Sequence, residues 1–360
     1  MFSRVLILAI PLLFSSCAKL GYFTEQGYQQ VRIQWLADRD NDDVLKDPKV
    51  PEEYKNKIIL VGEYKKFFYH HFNEKPTGIY TKTTMLDNPA VSYLVIASEH
   101  TKIEAHEFEF PIVGSFPYIG FFKESSAKKF AKELEEEENL VTYIRPVYAY
   151  STLGYLEDRI LSSFFEYDEF ELAELVFHEL FHTIFFIKNE VDLNENLANL
   201  YGKELLQEYF KDQDQLKRYL EREERKGVLA NRVVELIGIL QNEFDKLGGF
   251  ITLDKADTLT QRFVDEVFKP DLRQKCKDLK LADDECEFKN PWNQASFAAF
   301  LTYEEEQDFL QKLRAHLKLD LKGFLAWIKD EYEKFQKQKK IESFTDYLKE
   351  KVPYETSATH

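Results

Sequence analysis

One stretch of five residues, His178-Glu179-Leu180-Phe181-His182, constrains the fold of this chain more than any other. It reads H-E-x-x-H within a run of residues whose apolar spacing is typical of a helix. Positions four apart on a helix lie one turn apart on the same face, so both imidazoles can reach one metal ion. Glu179 is rotated by about 100° from His178, which brings its carboxylate near a water on that metal without making it a ligand. This arrangement is typical of a zinc hydrolase, with His178 and His182 as ligands and Glu179 as the general base.

An amphipathic helix with two hydrogen-bonded histidines is the alternative interpretation of this motif. The surroundings argue against it. Asp168, followed three residues later by Glu171, resembles a capping box at the start of the helix. Apolar residues then cover most of the helix surface: Leu172, Val176, Phe177, Leu180, Phe181, Ile184 and Phe185. Because such a helix is buried, its histidines and Glu179 need partners, and a metal ion provides them.

The segment Asn194-Glu195-Asn196-Leu197-Ala198 supplies a candidate for the third ligand that a catalytic zinc site requires. It resembles the N-E-x-x-A segment whose glutamate completes the zinc site of the gluzincin peptidases. Glu195 is therefore the preferred ligand, and Glu190 in the preceding loop is the alternative. The spacing between the two motifs is shorter than in well-known gluzincins, so the two helices must be joined by a tight return. We expect Asp192 or Asn194 to cap the second helix.

The N-terminal residues 1–16 read as a secretion signal. Arg4 provides the positive charge, and the apolar stretch from Val5 to Phe14 is too short to span a bilayer. Phe14-Ser15-Ser16-Cys17 resembles a bacterial lipobox, with Phe where Leu is usual. The resemblance implies lipidation of Cys17 and anchoring to a bacterial membrane, facing the periplasm or the exterior. A plain signal peptide with an incidental cysteine is the alternative.

Cys276 and Cys286 are the remaining cysteines of the chain. An exported protein reaches an oxidising compartment, where two cysteines this close in sequence can form a disulfide. Closing a loop of this length would add roughly 2–3 kcal/mol of stability. Two free thiols are the alternative.

The rest of the pattern predicts an α+β fold that is mostly helical, with a small antiparallel sheet. Residues 90–97 and 140–150 read as strands, and Pro146 in the second places that strand at a sheet edge. From Gly202 onwards the chain reads as almost entirely helical. We therefore divide it into a signal peptide (1–16), an N-terminal α+β part with the zinc-site helices (17–201) and a helical C-terminal part packed on the same catalytic unit (202–360).

Charge and composition restrict the partners. A formal net charge of −16 argues against binding to nucleic acid, which requires a basic face. The 31 Phe and 20 Tyr residues predict a core dominated by aromatic packing.

Over most of its length the chain resembles a family of putative bacterial aminopeptidases that are predicted to be lipoproteins. The most specific matching segments are Tyr150-Ser151-Thr152-Leu153-Gly154 and the region from His178 to Ala198. Further matches are Cys17–Tyr22, Glu25–Gln30, Phe110–Gly114, Phe116–Phe122 and, more weakly, Asn293–Phe297 followed by Tyr303. The resemblance departs in the C-terminal half, where the charged helices and the two cysteines look particular to this chain.

The resemblance implies hydrolysis of peptides at the cell envelope, by a zinc-bound water that Glu179 activates. A tyrosine hydroxyl often helps to stabilise the oxyanion in such sites, and Tyr150 and Tyr303 are the candidates. In gluzincins an edge strand next to the site pairs with the substrate backbone. This similarity would place Tyr150, Ser151 and Thr152 at the mouth of the cleft, and Asn293 is a further candidate for binding substrate.

Three classes of function compete for this sequence. A zinc peptidase, most simply an aminopeptidase, is favoured because Glu179 is intact. A catalytically inactive zinc-containing envelope lipoprotein that binds peptides or partners is the second class. A structural envelope protein whose zinc only holds the fold together is the third. The sequence leaves open whether a peptidase of this kind removes terminal residues or cuts within a chain.

Overall fold

A computed structural model describes residues 38–86, 88, 90–110, 114–148, 158–188, 190–211, 213–248, 251–286, 291–304, 307–338 and 343–351. The predicted signal peptide and Cys17 lie outside these ranges. Tyr150, Ser151 and Thr152 do so as well, and for Tyr303 only the backbone is described.

The helices of the described residues carry most of the chain. They are α1 (Asn41–Lys46), α2 (Glu52–Phe72), α3 (Glu124–Glu138), α4 (Glu169–His182), α5 (Val191–Tyr209), α6 (Asp214–Lys246), α7 (Leu253–Phe263), α8 (Lys269–Leu279), α9 (Asp283–Cys286), α10 (Gln294–Glu304), α11 (Gln307–Leu317), α12 (Leu321–Gln336) and α13 (Phe344–Lys349). A π-helical stretch, Val264–Phe268, joins α7 to α8, and a 3₁₀ helix, Ser162–Glu166, precedes α4. Local signals explain several boundaries: Pro51 lies at the N-cap of α2, and Asn139 ends α3 with a left-handed φ of 54°.

The strands form three small sheets within the described residues. They are β1 (Asp38–Asp40), β2 (Lys82–Thr84), β3 (Ser92–Ser98), β4 (Phe108–Phe110), β5 (Gly114–Phe116), β6 (Ile119–Phe121), β7 (Val141–Val147) and β8 (Ile160–Leu161). The main sheet has the order β6-β3-β7 and is antiparallel. The other two pair β1-β2-β8, where β2 and β8 are parallel, and β4-β5. The predicted α+β, mostly helical fold is confirmed.

Strand β7 pairs only with β3 among the described residues and is therefore an edge strand. Its Pro146 lies opposite Tyr93. Proline has no backbone N–H to donate, so an edge position costs it no ladder hydrogen bond. The predicted placement of Pro146 at a sheet edge is confirmed.

The largest hydrophobic cluster combines residues from both sides of position 201. Phe177 and Tyr201 belong to it together with Phe324 and Phe344 from near the C-terminus, and each of these is 0% exposed. Aromatic contacts run through this core: the ring of Tyr64 lies 5.7 Å from that of Phe177, between centroids. Helix α4 is therefore surrounded by packed side chains, as its apolar surface requires.

Two smaller clusters complete the interior. One lies around α6, α8 and Trp292, and the other lies between α3 and the main sheet. Within the described ranges, the structure contains no helix whose length and apolarity would let it cross a bilayer.

Candidate metal centre

Helix α4 begins at the predicted capping box. The side chain of Asp168 accepts a hydrogen bond from the backbone N–H of Glu171 (2.8 Å), and the carboxylate of Glu171 accepts one from the N–H of Asp168 (3.0 Å). These two bonds satisfy N–H groups that a helix start leaves without partners. The helix ends at His182, earlier than the apolar pattern suggested, so Ile184 and Phe185 lie beyond it. At this end the backbone bonds shorten to three-residue spacing, which begins the tight return to α5.

The two histidines and Glu195 converge on one point. The Nε2 atoms of His178 and His182 are 3.3 Å apart. The carboxylate oxygens of Glu195 lie 3.2 Å from His178 Nε2 and 3.4 Å from His182 Nε2. One ligand atom from each residue lies within 4.8 Å of the others, close enough to hold a metal ion. No second group of His, Cys, Asp or Glu with this geometry occurs in the part of the chain that the structure describes.

The return between the metal helices is held by Asn194. Its amide oxygen accepts from the N–H of Ile187 (2.9 Å), and its amide nitrogen donates to the carbonyl of Ile187 (2.7 Å). Helix α5 begins at Val191, with Glu190 as N-cap and no side-chain cap. The predicted cap by Asp192 or Asn194 is therefore wrong. The buried amide of Asn194 is used to hold the returning backbone instead.

The alternative ligand, Glu190, is bonded elsewhere. Its carboxylate accepts hydrogen bonds from the backbone N–H of Phe344 and the hydroxyl of Thr345 at the start of α13. The structure therefore brings Glu195, and not Glu190, into the metal group.

One face of α5 contacts His178 at three successive positions. The carboxylate of Glu195 meets the ring at Nε2, and the amide oxygen of Asn199 lies 2.8 Å from Nδ1. Gly202 lies against the backbone of α4, where an added Cβ would be 3.0 Å from the carbonyl oxygen of Glu174 and 3.4 Å from the Cβ of His178. An amide oxygen can only accept, so Nδ1 of His178 donates to Asn199, and Nε2, which faces Glu195, is the nitrogen that would bind a metal.

Asn199 and Gly202 were not singled out from the sequence. The signal was present in their spacing, because residues 195, 199 and 202 lie on one helical face. That spacing indicates contacts with His178 only when it is known that α5 crosses α4 with this face towards it.

The carboxylate of Glu195 and the imidazole of His178 shift each other's pKa values. Burial lowers the pKa of His178, but its hydrogen bond to Glu195 and the charges of Glu179 and Glu195 outweigh burial and raise it. Burial raises the pKa of Glu195, but hydrogen bonds from His178 and His182 outweigh it and hold the pKa well below its ordinary value. Glu195 is therefore ionised at neutral pH, as a metal ligand must be.

The residues present fit a divalent metal ion. Two imidazole nitrogens and one carboxylate form a common ligand set, and three protein ligands leave a position for water. His182 is 3% exposed, and its Nδ1 atom has no hydrogen-bond partner among the described residues. Nε2 of this ring is the nitrogen that faces the other two ligand atoms.

Glu179 is 6% exposed and follows His178 directly in the chain. Burial first, and then the charges of Glu179 and Asp158, raise the pKa of Tyr80 well above its ordinary value. Tyr80 is buried, and its φ of 59° lies in the left-handed region, an uncommon conformation for a tyrosine. Sequence reasoning did not find Tyr80, because nothing in the chain marks a residue so far upstream as close to the motif.

Asn293 joins α10 to the edge of the main sheet. Its amide nitrogen donates to the carbonyl of Thr142 on β7 (2.9 Å), and its amide oxygen accepts from the N–H of Ser296 (2.8 Å). It also lines a cavity of about 650 Å³ between α3 and β7, together with Tyr93 and Tyr143. The amide nitrogen and the amide oxygen of Asn293 thus both make hydrogen bonds within the fold.

Cys276 and Cys286 lie on α8 and α9. Their sulfur atoms are paired as in a disulfide, with the Cα atoms 6.1 Å apart. Cys276 is buried in the cluster around α6 and α8.

Comparison with known protein families places the metal group in context. The chain matches a family described as putative aminopeptidases over residues 21–343, a range that includes both metal motifs. The chain belongs to this family. Membership in the putative aminopeptidase family supports a peptidase function and implies peptide substrates. No curated protein and no solved structure matches the chain.

Proposed function

We propose that this protein is a zinc-dependent peptidase and acts as an aminopeptidase on peptides at the bacterial cell envelope. One observation carries the proposal: the Nε2 atoms of His178 and His182 and the carboxylate of Glu195 meet within 3.2–3.4 Å of one another. The buried Glu179 follows the first of these ligands directly. Membership in the aminopeptidase family supports the same activity independently.

His178, His182 and Glu195 would hold the zinc ion. When bound, zinc would act as a Lewis acid that lowers the pKa of water towards neutrality and polarises the carbonyl of the substrate. Asn199 keeps the proton of His178 on Nδ1, so the ring presents its lone pair at Nε2. Glu195 contributes the negative charge that offsets the charge of the cation.

Glu179 is the proposed general base. Its carboxylate accepts the proton of the attacking water and then passes that proton to the leaving amine. Glu179 lies about 100° around the helix from His178, which directs it beside the ligands and not among them. Its burial limits contact with bulk water, which would otherwise compete for the proton.

The substrate is proposed to bind along the edge of the main sheet. Among the described residues no further strand pairs with the outer edge of β7, where Asn293 bonds to the carbonyl of Thr142, and an extended peptide can add to such an edge through backbone hydrogen bonds. The chain runs from β7 towards Tyr150, Ser151 and Thr152, which we retain as candidates for the mouth of the cleft. Tyr150 and Tyr303 remain the proposed donors to the oxyanion, and Asn293 remains a candidate substrate contact beside β7.

We also propose that residues 1–16 are removed on export and that Cys17 carries a lipid. The lipobox-like segment ending at Cys17 supports this proposal. The anchored protein would face the periplasm or the exterior of a bacterial membrane.

Comparing Glu179→Gln with Glu174→Gln tests the proposed chemistry. Both glutamates lie on α4, and the carboxylate of Glu174 is engaged within the fold, where it accepts a hydrogen bond from Tyr219 (3.0 Å). We expect the wild type to bind about one zinc per chain. It should cleave peptides with a free N-terminus and leave N-acetylated peptides intact. Glu179→Gln should keep its zinc and lose about 10²–10⁴-fold in cleavage, whereas Glu174→Gln should retain activity.

Each departure from this pattern has a distinct meaning. Zinc binding without any cleavage by the wild type would indicate the inactive peptide-binding lipoprotein instead. Cleavage of acetylated peptides would exclude an aminopeptidase and leave a zinc endopeptidase. Full activity in Glu179→Gln would refute its role as the base.

A further inference from the structure

Glu190 makes a long-range contact with the C-terminal helix of the described chain. Its carboxylate accepts hydrogen bonds from the backbone N–H of Phe344, the hydroxyl of Thr345 (2.8 Å) and the hydroxyl of Ser343 (3.3 Å). These donors lie at the start of α13, more than 150 residues further along the chain. The carboxylate of Glu190 thus joins the connection between α4 and α5 (the metal-site loop) to the start of α13.

Helix α13 is itself fixed in the main core. Phe344 and Leu348 are 0% exposed, and both belong to the cluster that packs around α4 and α5. At the other end of α13, the hydroxyl of Tyr347 donates to Glu331 (2.6 Å), which also pairs with Lys351 (3.2 Å). A short helix held at both ends is a firm anchor for Glu190.

The same residue begins the helix that carries the third ligand. The backbone carbonyl of Glu190 accepts from the N–H of Asn194 (3.0 Å), the residue before Glu195. The amide of Asn194 in turn holds Ile187 on the other side of the loop. A continuous set of hydrogen bonds therefore links α13 to the first turn of α5.

We propose that Glu190 is a positioning residue of the metal centre, and that α13 acts through it to hold Glu195 against the two histidines. The inference rests on the proposed zinc site. It assigns a role in metal binding to a C-terminal segment that contributes no ligand. The short return between α4 and α5 makes such support necessary, because the N-cap of α5 has no side-chain cap of its own.

Zinc affinity, measured by competition with a chelator, tests the proposal in the full-length protein. Glu190→Ala should weaken zinc binding at least tenfold, within the roughly 10–100-fold range that supporting residues of metal ligands show. Thr345→Val, which replaces a hydroxyl by a methyl of similar size, should weaken it by a smaller factor. Arg232→Gln is the control, since it breaks the ion pair with Asp271 between α6 and α8 (2.6 Å), in a different cluster. The control should keep the wild-type zinc affinity.

A double-mutant cycle tests whether Glu190 acts on the zinc site through α13. If Glu190 acts through α13, Thr345→Val should have no further effect on zinc affinity in the Glu190→Ala background. Additive effects would overturn the proposed route. Zinc affinity in Glu190→Ala within twofold of the wild type would overturn the inference altogether.

Hydrogen exchange distinguishes failure of this inference from failure of the zinc site. Should the wild type bind no zinc, the proposed function is refuted, and the amides of residues 191–198 provide the remaining test. They should exchange at least tenfold faster in Glu190→Ala than in Arg232→Gln. Equal rates would overturn the positioning role. If Glu190→Ala fails to fold, Thr345→Val carries the same measurements.

Discussion

His178 contacts α5 at Nε2 through Glu195 and at Nδ1 through Asn199, and the missing side chain of Gly202 lets α5 lie close to the backbone of His178. Glu195 affects the charge of the ring, Asn199 its tautomer, and the close approach of the helices at Gly202 its position. A ligand restrained in this way loses little conformational entropy when it binds a metal. The geometry of the site at the scale of single residues is thus largely built around this one histidine.

Asn199→Ala should weaken zinc binding by roughly 10–100-fold, because the proton on Nδ1 of His178 would lose its acceptor. Chelator competition measures the effect. Asn199→Asp preserves an acceptor at the same place and should restore most of the affinity. An alanine variant that binds zinc like the wild type would show that the ring is held by packing alone.

Glu195→Gln should weaken zinc binding strongly, because a neutral amide replaces the ionised carboxylate between the two histidines. Metal analysis after dialysis provides the measurement. Glu190→Gln is the comparison, since Glu190 was the other candidate ligand and its carboxylate bonds to α13. Glu195→Gln should lose more zinc than Glu190→Gln. The opposite result would make Glu190 the preferred ligand.

At the scale of elements, the crossing of α4 and α5 sets the separation of the ligands. Gly202 permits this crossing because its missing side chain leaves room for the backbone of α4. The tight return through Asn194 fixes the other end of the same pair. The positions of α4 and α5 relative to each other are therefore fixed at both ends, with His178 and Glu195 facing each other.

Gly202→Ala should reduce the free energy of unfolding by about 1–3 kcal/mol, since its Cβ would lie 3.0 Å from the carbonyl oxygen of Glu174. Urea denaturation measures this change. Gly238→Ala is the matched control on helix α6, where an added Cβ meets nothing within 4 Å. It should leave stability unchanged or increase it by up to about 1 kcal/mol, because alanine is the better helix former. Equal effects at both glycines would contradict the crossing argument.

At the scale of the whole molecule, the C-terminal region closes the core around the metal helices. Glu331 on α12 is 5% exposed and receives hydrogen bonds from Tyr347 and Lys334. Burial raises its pKa, but hydrogen bonds from Lys334, Tyr347 and Lys351 outweigh burial and lower the pKa from 4.5 to about 2. This carboxylate joins α12 to α13, and α13 reaches the metal-site loop through Glu190.

Acid should weaken this closure. Because the folded pKa of Glu331 lies below the unfolded value, its contribution to stability is present above pH 4.5 and is lost as the pH falls towards about 2. Glu331→Gln should lower the melting temperature at pH 7, and the difference from the wild type should shrink between pH 4.5 and pH 2. Glu333→Gln, an exposed position on the same helix, should show no such trend. A constant difference across this range would refute the assignment.

The proposed lipidation of Cys17 would also affect the whole molecule. Cys17→Ser should move the protein from the membrane fraction to the soluble fraction, because a covalent lipid is the proposed anchor. Fractionation under high salt measures this, and mass spectrometry of the mature N-terminus identifies the lipid. A variant that stays in the membrane fraction would contradict the proposed anchor.

Local periodicity made part of this protein readable from its sequence. The motif His178–His182 and its capping box at Asp168 became a helix with both imidazoles on one face, since helical spacing converts directly into geometry. The β-branched and aromatic run at residues 90–97 became β3, and Pro146 marked a sheet edge. The choice of Glu195 followed from a resemblance, and the structure brings that residue to the histidines.

The remaining features depend on how elements meet in space. Gly202 has meaning only where α5 crosses α4, and the contact between Glu190 and α13 joins positions 154 residues apart. No local pattern encodes such contacts, because they arise from the packing of a shared core. The sequence by itself determined which residues could bind a metal. Only the tertiary structure decided how they are held, because the separation and orientation of two helices depend on the side chains between them and on the C-terminal helix that packs behind them.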